Sequence, residues 1–379
     1  MIARPNRPPS QATRPTHLRS RKSFDHSPML VFYELTRACD LVCLHCRACA
    51  QSQHDPRELA TSQSKRLIDQ LGEFPNPPML ILTGGDPLKR DDIYDLIEYA
   101  VGSGIDVSIT PSATPLVNRD SIRRLRDAGI SRMAISVDGA DAATHDTNRG
   151  VAGSFAHSMN VLQIARELGV ETQINTTLTP SNVDQIEAMG DRFAKLDIAL
   201  WSVFFLIPVG RATTMQRLDA DQCEAAFARL HAQAVQQPFM VKTTEAPHYR
   251  RYVIQNKPKD SPASPRGFIP AGVNDGKGVM FVSHTGEIFP TGFLPIHCGD
   301  FPKQSIVDVY QSSPTFKMLR DSDQLHGKCG VCEFRNVCGG SRAGAYGVTG
   351  NPMAEEPDCN YIPPAFHGTS PCPPIQDVV

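Results

Sequence analysis

Three cysteines near the amino terminus have a spacing that can hold a metal cluster. Cys39, Cys43 and Cys46 follow the pattern C-x3-C-x2-C, directly after an apolar run at residues 29–33. Soft thiolate ligands favour iron–sulfur clusters, and three of them can bind three irons of a [4Fe–4S] cube. The fourth iron then has no protein ligand and is open to a substrate or cofactor. The spacing therefore predicts a catalytic cluster more than a structural one.

A further cysteine close to this motif leaves a second interpretation open. Cys49 could supply a fourth thiolate and close the cube, as in an electron-carrying ferredoxin. Bacterial ferredoxins use a different order of spacings. The Gly-Gly-Asp-Pro turn at residues 84–87 argues that Cys49 is not a ligand. The alternative to an enzyme is a non-catalytic iron–sulfur carrier or a zinc-stabilised binding protein.

A glycine-rich turn follows the second predicted strand. It reads Gly84, Gly85, Asp86 and Pro87. Paired glycines let a ligand approach the backbone closely, Asp86 adds an acceptor, and Pro87 stiffens the turn. Alone, these residues would indicate only a turn. After a C-x3-C-x2-C motif, they predict a cofactor-binding turn beside the cluster.

The carboxyl-terminal part of the chain has its own group of cysteines. Cys329, Cys332 and Cys338 are spaced C-x2-C-x5-C, and Cys359 follows at a distance. Four thiolates suit a second [4Fe–4S] cluster, and they equally suit a structural zinc ion. Spacing alone does not separate these two possibilities.

Composition excludes some classes of function. The 379 residues carry 38 Lys and Arg against 40 Asp and Glu, a net charge of −2, which offers no bulk attraction to nucleic acid or to an anionic membrane. We find no apolar run of about 18 residues, the length that a membrane span needs, and no signal-peptide core before residue 29. We therefore expect a cytoplasmic protein, whose eleven cysteines stay reduced and whose clustered thiols bind metal.

Alternating strands and helices must position these motifs. Such alternation predicts parallel strands with right-handed crossovers, in a partial barrel or an open doubly wound sheet with ligands at the carboxyl ends of the strands. Asn182 and Gln185 predict a capping box at the start of the fifth helix. The predicted strands are residues 30–35, 79–82, 106–109, 132–137, 171–177 and 199–206. The predicted helices are residues 62–72, 91–101, 119–128, 155–168, 183–196 and 219–236.

The predicted organisation has five parts. A basic, proline-rich segment at the amino terminus is expected to be disordered. A hairpin is predicted around Thr285 and Gly286 within the cysteine-rich extension. The parts are a tail (1–27), an α/β core (28–215), a helical and loop connection (216–277), a small cluster-binding extension (278–362) and an irregular tail (363–379).

Together, the first two motifs resemble those of the radical S-adenosylmethionine (SAM) superfamily. That superfamily combines C-x3-C-x2-C with a Gly-Gly-Glu-Pro-like turn, and here Asp86 replaces the more common glutamate. The resemblance implies a partial (β/α)6 barrel in which SAM binds the open iron of the cluster. It also implies a 5′-deoxyadenosyl radical that takes hydrogen from the substrate, and a reduced ferredoxin- or flavodoxin-type electron donor.

The same resemblance suggests further SAM-contact residues. Ser112 follows the third predicted strand, and Ser136 and Asp138 lie at the end of the fourth. Arg149 could pair with the carboxylate of SAM. Asn175 is expected to face the barrel interior from the fifth strand. Each of these residues could equally be an ordinary polar residue that is satisfied within the fold.

The cysteine-rich extension resembles the auxiliary-cluster regions called SPASM and Twitch. This likeness favours iron over zinc at Cys329, Cys332, Cys338 and Cys359. Pro290 and Arg342 stand where a full SPASM region would carry further ligands, so we expect a single auxiliary [4Fe–4S] cluster. Cys298 is the spare thiol that could change this count, and we expect it to be a small buried residue.

Among radical SAM enzymes, the chain is similar to the group that modifies tetrapyrroles, the NirJ-like proteins and alternative heme synthases. Residues 36–39, 83–88, 281–287 and 338–343 carry this likeness. It implies a small-molecule substrate from which hydrogen is taken at a propionate carbon, with Arg211 and Arg342 as candidate partners for carboxylates. A maturase of a ribosomally made peptide, or of another cofactor, is the alternative.

Overall fold

One ten-stranded sheet organises the residues that the computed structural model describes, 24–257 and 272–368. In chain order the strands are β1 Leu30–Glu34, β2 Met79–Thr83, β3 Val107–Ile109, β4 Arg132–Ser136, β5 Thr172–Leu178, β6 Leu200–Phe205, β7 Met240–Thr244, β8 Val279–Val282, β9 Glu287–Phe289 and β10 Gly299–Asp300. Across the sheet the order is β10-β9-β8-β1-β2-β3-β4-β5-β6-β7. Strands β8 and β1 to β7 pair in parallel, and β9 and β10 are antiparallel.

The six predicted strands correspond to β1 through β6, so the predicted α/β fold is confirmed. Residues at the ends of β2 to β6 and in the loop after β1 line one common cavity. The parallel sheet therefore curves around that cavity while its outer strands, β7 and β10, leave it open. This is a partial barrel with its functional face at the carboxyl ends of the strands.

Several helices pack against the sheet. In chain order they are α1 Thr61–Glu73, α2 Ile93–Gly102, α3 Arg119–Ala128, α4 Ala142–Arg149, α5 Ser154–Glu167, α6 Ile186–Phe193, α7 Ala220–Gln236, α8 Tyr249–Gln255, α9 Ile306–Ser312, α10 Pro314–Arg320, α11 Gly327–Val331 and α12 Arg342–Thr349. The six predicted helices correspond to α1, α2, α3, α5, α6 and α7. No helix in the described part of the chain is long and apolar enough to cross a membrane.

Helix α4 was not predicted, although it carries one of the predicted site residues. Its buried residues are His145 and Asn148, so it lacks the apolar periodicity that identifies an amphipathic helix. Capping at both ends explains why it forms. Asp141 accepts a hydrogen bond from the amide of Thr144 at 2.9 Å, and Gly150 ends the helix at φ 70°.

The predicted capping box at Asn182 and Gln185 is wrong. The Asn182 amide group donates to the carbonyl oxygens of Asp138 and Thr177, at 2.9 and 2.8 Å. The side-chain oxygen of Gln185 accepts from the amide of Ala140 at 2.8 Å. Both side chains therefore join the loops after β4 and β5, and these tertiary bonds outcompete the local cap.

The barrel core packs between sheet and helices. Trp201 of β6 is fully buried, with its ring edge-on to Phe193 at 5.2 Å and to Phe239 at 6.3 Å. Its indole nitrogen donates to the Thr176 hydroxyl at 2.9 Å, so the polar end of this large side chain is satisfied. These contacts fix β5 and β6, which carry one wall of the cavity.

The predicted hairpin is confirmed as β8 and β9. The pairing of β8 with a strand of the core was not predicted. Strand β8 lies parallel to β1, with Leu30 opposite Val279 and Tyr33 opposite Val282. The extension therefore shares its sheet with the core, and the proposed domain boundaries stay predictions. Of the two predicted tails, residues 1–23 and 369–379 lie outside the described part of the chain.

Candidate active site

The three-cysteine motif lies in the loop that follows β1, and backbone bonds hold this loop in place. The amide of Cys39 donates to the Gln51 carbonyl at 2.7 Å. Arg211 binds the loop from the other side, donating to the carbonyl of Cys43 at 3.2 Å and to that of Ala50. Arg211 therefore fixes the cysteine loop, and it does not line the cavity. This corrects the expectation that it binds a substrate carboxylate.

Each of the three cysteine sulfurs has a hydrogen-bond donor. The Leu41 amide donates to Cys39 Sγ at 3.4 Å, and the Ala50 amide donates to Cys46 Sγ at 3.3 Å. Nη1 of Arg149 donates to Cys43 Sγ at 3.7 Å. Burial raises the pKa of the Cys39 and Cys43 thiols, which bound metal would counteract by replacing their protons. Three clustered thiols with donors to their sulfurs fit an iron–sulfur cluster with three protein ligands.

Two neighbours of the motif differ in their relation to the cavity. Cys49 is exposed, has φ 49° and does not line the cavity. His45 does line it, and burial lowers the pKa of its imidazole. Its Nε2 atom lies 3.4 Å from the carboxylate of Asp138. The geometry supports Cys39, Cys43 and Cys46 as the ligand set.

The two glycines of the predicted turn are required by its contact with the cysteine loop. The Gly85 amide donates to the Thr36 carbonyl, and the Asp86 amide donates to the Ala38 carbonyl, each at 2.7 Å. A Cβ atom at Gly84 would lie 2.5 Å from the Thr36 oxygen, and one at Gly85 would lie 2.4 Å from the Ala38 oxygen. Only glycine permits this approach. Both glycines also line the cavity beside the cysteines.

Asp86 supports this turn from behind. Its carboxylate is fully buried and accepts from the Thr114 hydroxyl at 2.7 Å and from the Leu88 amide at 3.1 Å. Burial raises the pKa of Asp86. Neither Asp86 nor the buried Pro87 lines the cavity. Both residues shape the turn, and their direct contact with SAM stays a prediction.

A polar wall faces the cysteines from the ends of β3, β4 and β5. Ser112, Ser136 and Asn175 all line the cavity, as predicted for residues that contact a cofactor. The Ser112 hydroxyl donates to the Gly85 carbonyl at 2.7 Å and accepts from the Cys39 thiol at 3.4 Å. Ser112 therefore links the glycine turn to the first cysteine.

Asp138 and Arg149 form a buried pair next to the second cysteine. Nη2 of Arg149 lies 2.7 Å from the carboxylate of Asp138, whose other oxygen accepts from the Thr177 amide at 2.8 Å. Burial opposes ionisation, yet Arg149 and His45 hold the pKa of Asp138 below its usual value. Arg149 lines the cavity and Asp138 does not. Asp138 therefore acts on the site only by holding the Arg149 side chain in place.

The cavity has about 1140 Å³ of space, counted to its open mouth, and two unlike walls. Hydroxyl and amide groups form one wall. The other wall is apolar and comes from β6, the loop after it and one residue of the extension. This apolar wall consists of Phe204, Phe205, Leu206, Ile207, Val209 and Phe293. Apolar residues at a strand end look like ordinary core in the sequence, so this wall was not predicted.

A buried carboxylate at the end of β1 was also missed. Glu34 accepts from Nη2 of Arg47 at 3.0 Å and from Nε of Arg37 at 3.3 Å, and lies 3.0 Å from Nδ1 of His284. Burial opposes ionisation, but these partners lower the pKa of Glu34 to about 2. In the sequence, the only feature that could have identified Glu34 was its position as an acid at the end of an apolar run. His284 sits in one of the segments that carried the family likeness.

The carboxyl-terminal cysteines line a second, smaller pocket of about 360 Å³, the open solvent at its mouth included. Cys329, Cys332, Cys338 and Cys359 all line it, and burial raises the pKa of each thiol. The Glu356 amide donates to Cys329 Sγ at 3.2 Å, and the Gly340 amide donates to Cys338 Sγ at 3.4 Å. The four thiols therefore line one space, and backbone amides donate to two of them. No group of three or more His, Cys, Asp or Glu side chains in the described residues is arranged to hold a single metal ion, so the auxiliary cluster stays a prediction.

Two other predicted residues of the extension lie apart from both cavities. The Cys298 thiol donates to the Ile296 carbonyl at 3.3 Å, and burial raises its pKa to about 11. Arg342 is buried and donates to the carbonyls of Pro352 and Ala354, at 2.8 and 2.7 Å. Arg342 therefore stabilises a loop, which corrects the expectation that it binds a substrate carboxylate.

Comparison with known proteins relates this geometry to a family. The family model described as the radical SAM superfamily matches residues 33–193. The AdoMet-dependent heme synthase of Oleidesulfovibrio alaskensis is 38% identical over 348 residues, which cover 89% of each chain. The enzyme of the same name from Methanosarcina barkeri is 34% identical and covers 89% of this chain and 98% of its own.

More distant relatives and solved structures extend the comparison. The mycofactocin maturase MftC of Mycobacterium ulcerans is 29% identical and covers 91% of this chain and 92% of its own. The crystal structure of Streptococcus suis SuiB bound to S-adenosylmethionine superposes with a TM-score of 0.69 at 16% identity, covering 89% of this chain and 78% of that one. At this identity the likeness to SuiB concerns the fold alone.

Proposed function

The chain belongs to the radical SAM superfamily, and from that membership we propose that it takes hydrogen from a propionate side chain of a tetrapyrrole. One observation carries this proposal. The three cysteines, a polar wall and an apolar wall share a single cavity at the carboxyl ends of the barrel strands. A cofactor on the polar side and a flat apolar substrate on the other would meet beside the cysteines.

Cys39, Cys43 and Cys46 would hold the catalytic [4Fe–4S] cluster. Hydrogen-atom abstraction from an unactivated carbon is the chemistry that this cluster and SAM supply when bound. The chain's own groups orient SAM, through the Gly84–Gly85 backbone and the side chains of the polar wall. The apolar wall excludes water from the reacting carbon, which protects a reactive site from side reactions.

The tetrapyrrole assignment draws on two kinds of support. Two relatives named AdoMet-dependent heme synthase are 38% and 34% identical over most of the chain. An apolar wall that includes three phenylalanines suits the flat face of a macrocycle. We propose oxidative decarboxylation, in which a propionate loses one hydrogen atom, carbon dioxide and one electron and becomes a vinyl group.

The electron released by this reaction needs an acceptor. We assign one auxiliary [4Fe–4S] cluster to Cys329, Cys332, Cys338 and Cys359, and electron acceptance is the chemistry that it would supply. Structural zinc is the alternative occupant of the same four thiols. A reduced ferredoxin or flavodoxin is the donor that we propose for the catalytic cluster.

A peptide maturase is the second candidate function, favoured by the 29% identity to mycofactocin maturase MftC. A peptide substrate would not require binding groups for several carboxylates. The two candidates therefore differ in the substrate that accelerates the reaction, which a direct assay can measure.

The test is anaerobic reconstitution followed by incubation with dithionite and SAM. Formation of 5′-deoxyadenosine is followed by mass spectrometry with and without an iron tetrapyrrole that carries propionates, either didecarboxysiroheme or Fe-coproporphyrin III. We expect acceleration by one tetrapyrrole, together with loss of carbon dioxide and two hydrogen atoms from its mass. Slow formation that no tetrapyrrole accelerates would remove the substrate assignment and leave the reaction class.

A further inference from the structure

Arg47 holds an unusual place at the boundary between the two walls of the cavity. It directly follows the third cysteine, lines the cavity and is 18% exposed. Its guanidinium lies over the Phe281 ring, 4.6 Å from the ring centre. A Cβ atom at position 292 would lie 3.0 Å from its Nε atom, so glycine there leaves room for the side chain. Arg47 thus reaches from the cysteine loop toward the extension.

Arg47 keeps more bonding capacity than the other arginine of this cavity, because its Nε and Nη1 atoms have no recorded acceptor among the described residues, whereas Arg149 keeps only its buried Nε atom. Two other basic side chains line the cavity, Arg149 and His45, and both face the carboxylate of Asp138. Within residues 24–257 and 272–368, the recorded acceptor for Arg47 is Glu34, which uses Nη2 only. A guanidinium has five N–H donors in a planar fork. The Nε and Nη1 groups therefore remain to bind a ligand.

The charges behind Arg47 leave an excess of positive charge at this point. Glu34 is shared by Arg47 and Arg37, so two guanidinium groups face one carboxylate. The third partner, His284, also lies 3.5 Å from a second acid, Asp55. Glu34 therefore orients Arg47 without neutralising both arginines, and it acts as a positioning residue.

We propose that Arg47 binds a carboxylate of the substrate, a propionate group of the tetrapyrrole if the proposed function on which this inference rests is right. A planar carboxylate can accept one hydrogen bond from Nη1 and a second, parallel one from the N–H of Nη2 that Glu34 does not use. Bound there, the propionate lies in the same cavity as Cys46, and the macrocycle lies on the apolar wall. Arg47 thereby sets which side chain of the ring approaches the cluster.

The methionyl carboxylate of SAM is the other source of the same chemistry. The two sources differ in what the loss of Arg47 would change. A substrate anchor affects tetrapyrrole affinity and leaves the slow, substrate-independent cleavage of SAM intact. A SAM anchor reduces that cleavage and raises the Kd for SAM.

A matched pair of variants, Arg47→Gln and Arg37→Gln, provides the test. Both arginines contact Glu34, but Arg37 is 41% exposed and does not line the cavity. Reconstituted holoenzymes are compared in iron content, substrate-independent 5′-deoxyadenosine formation, and Kd for Fe-coproporphyrin III and didecarboxysiroheme by visible absorption. We expect Arg47→Gln to raise the tetrapyrrole Kd by roughly 10- to 100-fold. We expect Arg37→Gln to stay within about 2-fold, and Arg47→Lys to recover part of the loss.

The methyl ester of the same tetrapyrrole gives a measurement that does not depend on how the variants fold. The wild-type enzyme should bind the ester more weakly than the acid, by a factor similar to that of the Arg47→Gln change. Equal affinity for acid and ester would overturn the proposal, as would a defect of Arg47→Gln in SAM binding alone. A wild-type enzyme that binds neither tetrapyrrole would overturn the proposed function itself.

Discussion

Arg149 and Asp138 form an ion pair of 2.7 Å inside the barrel, and the same guanidinium lies 3.7 Å from the sulfur of Cys43. The carboxylate is fully buried and comes from the end of β4, whereas the arginine ends helix α4. A pair in this position ties the second predicted cluster ligand to the core of the barrel. Although Asp138 does not line the cavity, it holds the arginine that contacts Cys43.

Breaking this pair should be costly. Asp138→Asn leaves the Arg149 guanidinium buried without its counter-charge, and we expect the free energy of unfolding to fall by about 3–5 kcal/mol. Urea unfolding of the metal-free protein measures this change. Asp120→Asn is the control, because Asp120 is 76% exposed and pairs with Arg123 on the surface, which predicts a loss below about 1 kcal/mol. Equal losses in the two variants would contradict the assignment.

The three cysteines of the first motif should each be indispensable. Alanine at Cys39, Cys43 or Cys46 removes one proposed ligand of the catalytic cluster, so we expect 5′-deoxyadenosine formation to fall below detection. Cys49→Ala is the control, since this thiol is exposed and outside the cavity, and it should keep wild-type activity. Full loss of activity in Cys49→Ala would instead favour a cluster with four cysteine ligands.

Two activities distinguish the proposed auxiliary site from the proposed first cluster: reductive cleavage of SAM and formation of the product. We expect Cys332→Ala and Cys338→Ala to retain reductive cleavage of SAM and to lose product formation, because they remove ligands of the cluster that we propose as the electron acceptor. Cys298→Ala, which changes a thiol outside both cavities, should retain both activities. Metal analysis of the wild-type protein decides between iron and zinc, and one zinc per chain would contradict the second cluster.

The glycine turn gives a steric prediction. In Gly85→Ala the new methyl group would lie 2.4 Å from the Ala38 carbonyl oxygen, so the turn must move away from the cysteine loop. We expect a loss of about 1–3 kcal/mol in stability and weaker SAM binding. Gly102→Ala has no atom within 4 Å of the added carbon and should leave SAM binding unchanged. Calorimetric titration of SAM into both holoenzymes compares them.

Glu34 predicts a pH dependence of stability. Its pKa falls from 4.5 to about 2 on folding, so its charge contributes stability above pH 4.5, and this contribution is lost as the pH falls toward 2. By linkage the contribution is about 3 kcal/mol at neutral pH. The difference in unfolding free energy between wild type and Glu34→Gln, measured on metal-free protein, should therefore shrink between pH 7 and pH 3. A constant difference would show that the charge of Glu34 does not stabilise the fold.

Local patterns in the sequence were sufficient for the main elements of this molecule. The six strands and the cysteine spacings depend on residues close together in the chain, and apolar runs and ligand spacings reveal them directly. The grouping of Ser112, Ser136 and Asn175 in one cavity follows from parallel strands that end at the same edge. These features needed no information on which distant segments meet.

Features that depend on distant contacts were not accessible in this way. The Arg47–Glu34–His284 group combines the end of β1, the cysteine loop and the turn after β8. The Asn182 side-chain amide donates to the carbonyl oxygens of Asp138 and Thr177, and no local sequence motif predicts these bonds. Helix α4 has too few apolar residues to show its period. Tertiary hydrogen bonds of polar side chains determine the first two features, and local caps determine helix α4. All three depend on polar residues, which carry little periodic signal.

The parallel pairing of β8 with β1 has a consequence for how the chain is made. The two strands are roughly 250 residues apart, which makes this one of the slow, long-range contacts of the fold. During synthesis β1 can pair with β2 early, but its other edge waits until β8 leaves the ribosome. His284 arrives with β8, so Glu34 and Arg47 acquire their complete surroundings only at that stage. A ribosome-bound chain that ends before β8 would thus carry the cysteine loop beside an unpaired strand edge, a state that favours aggregation over cluster insertion.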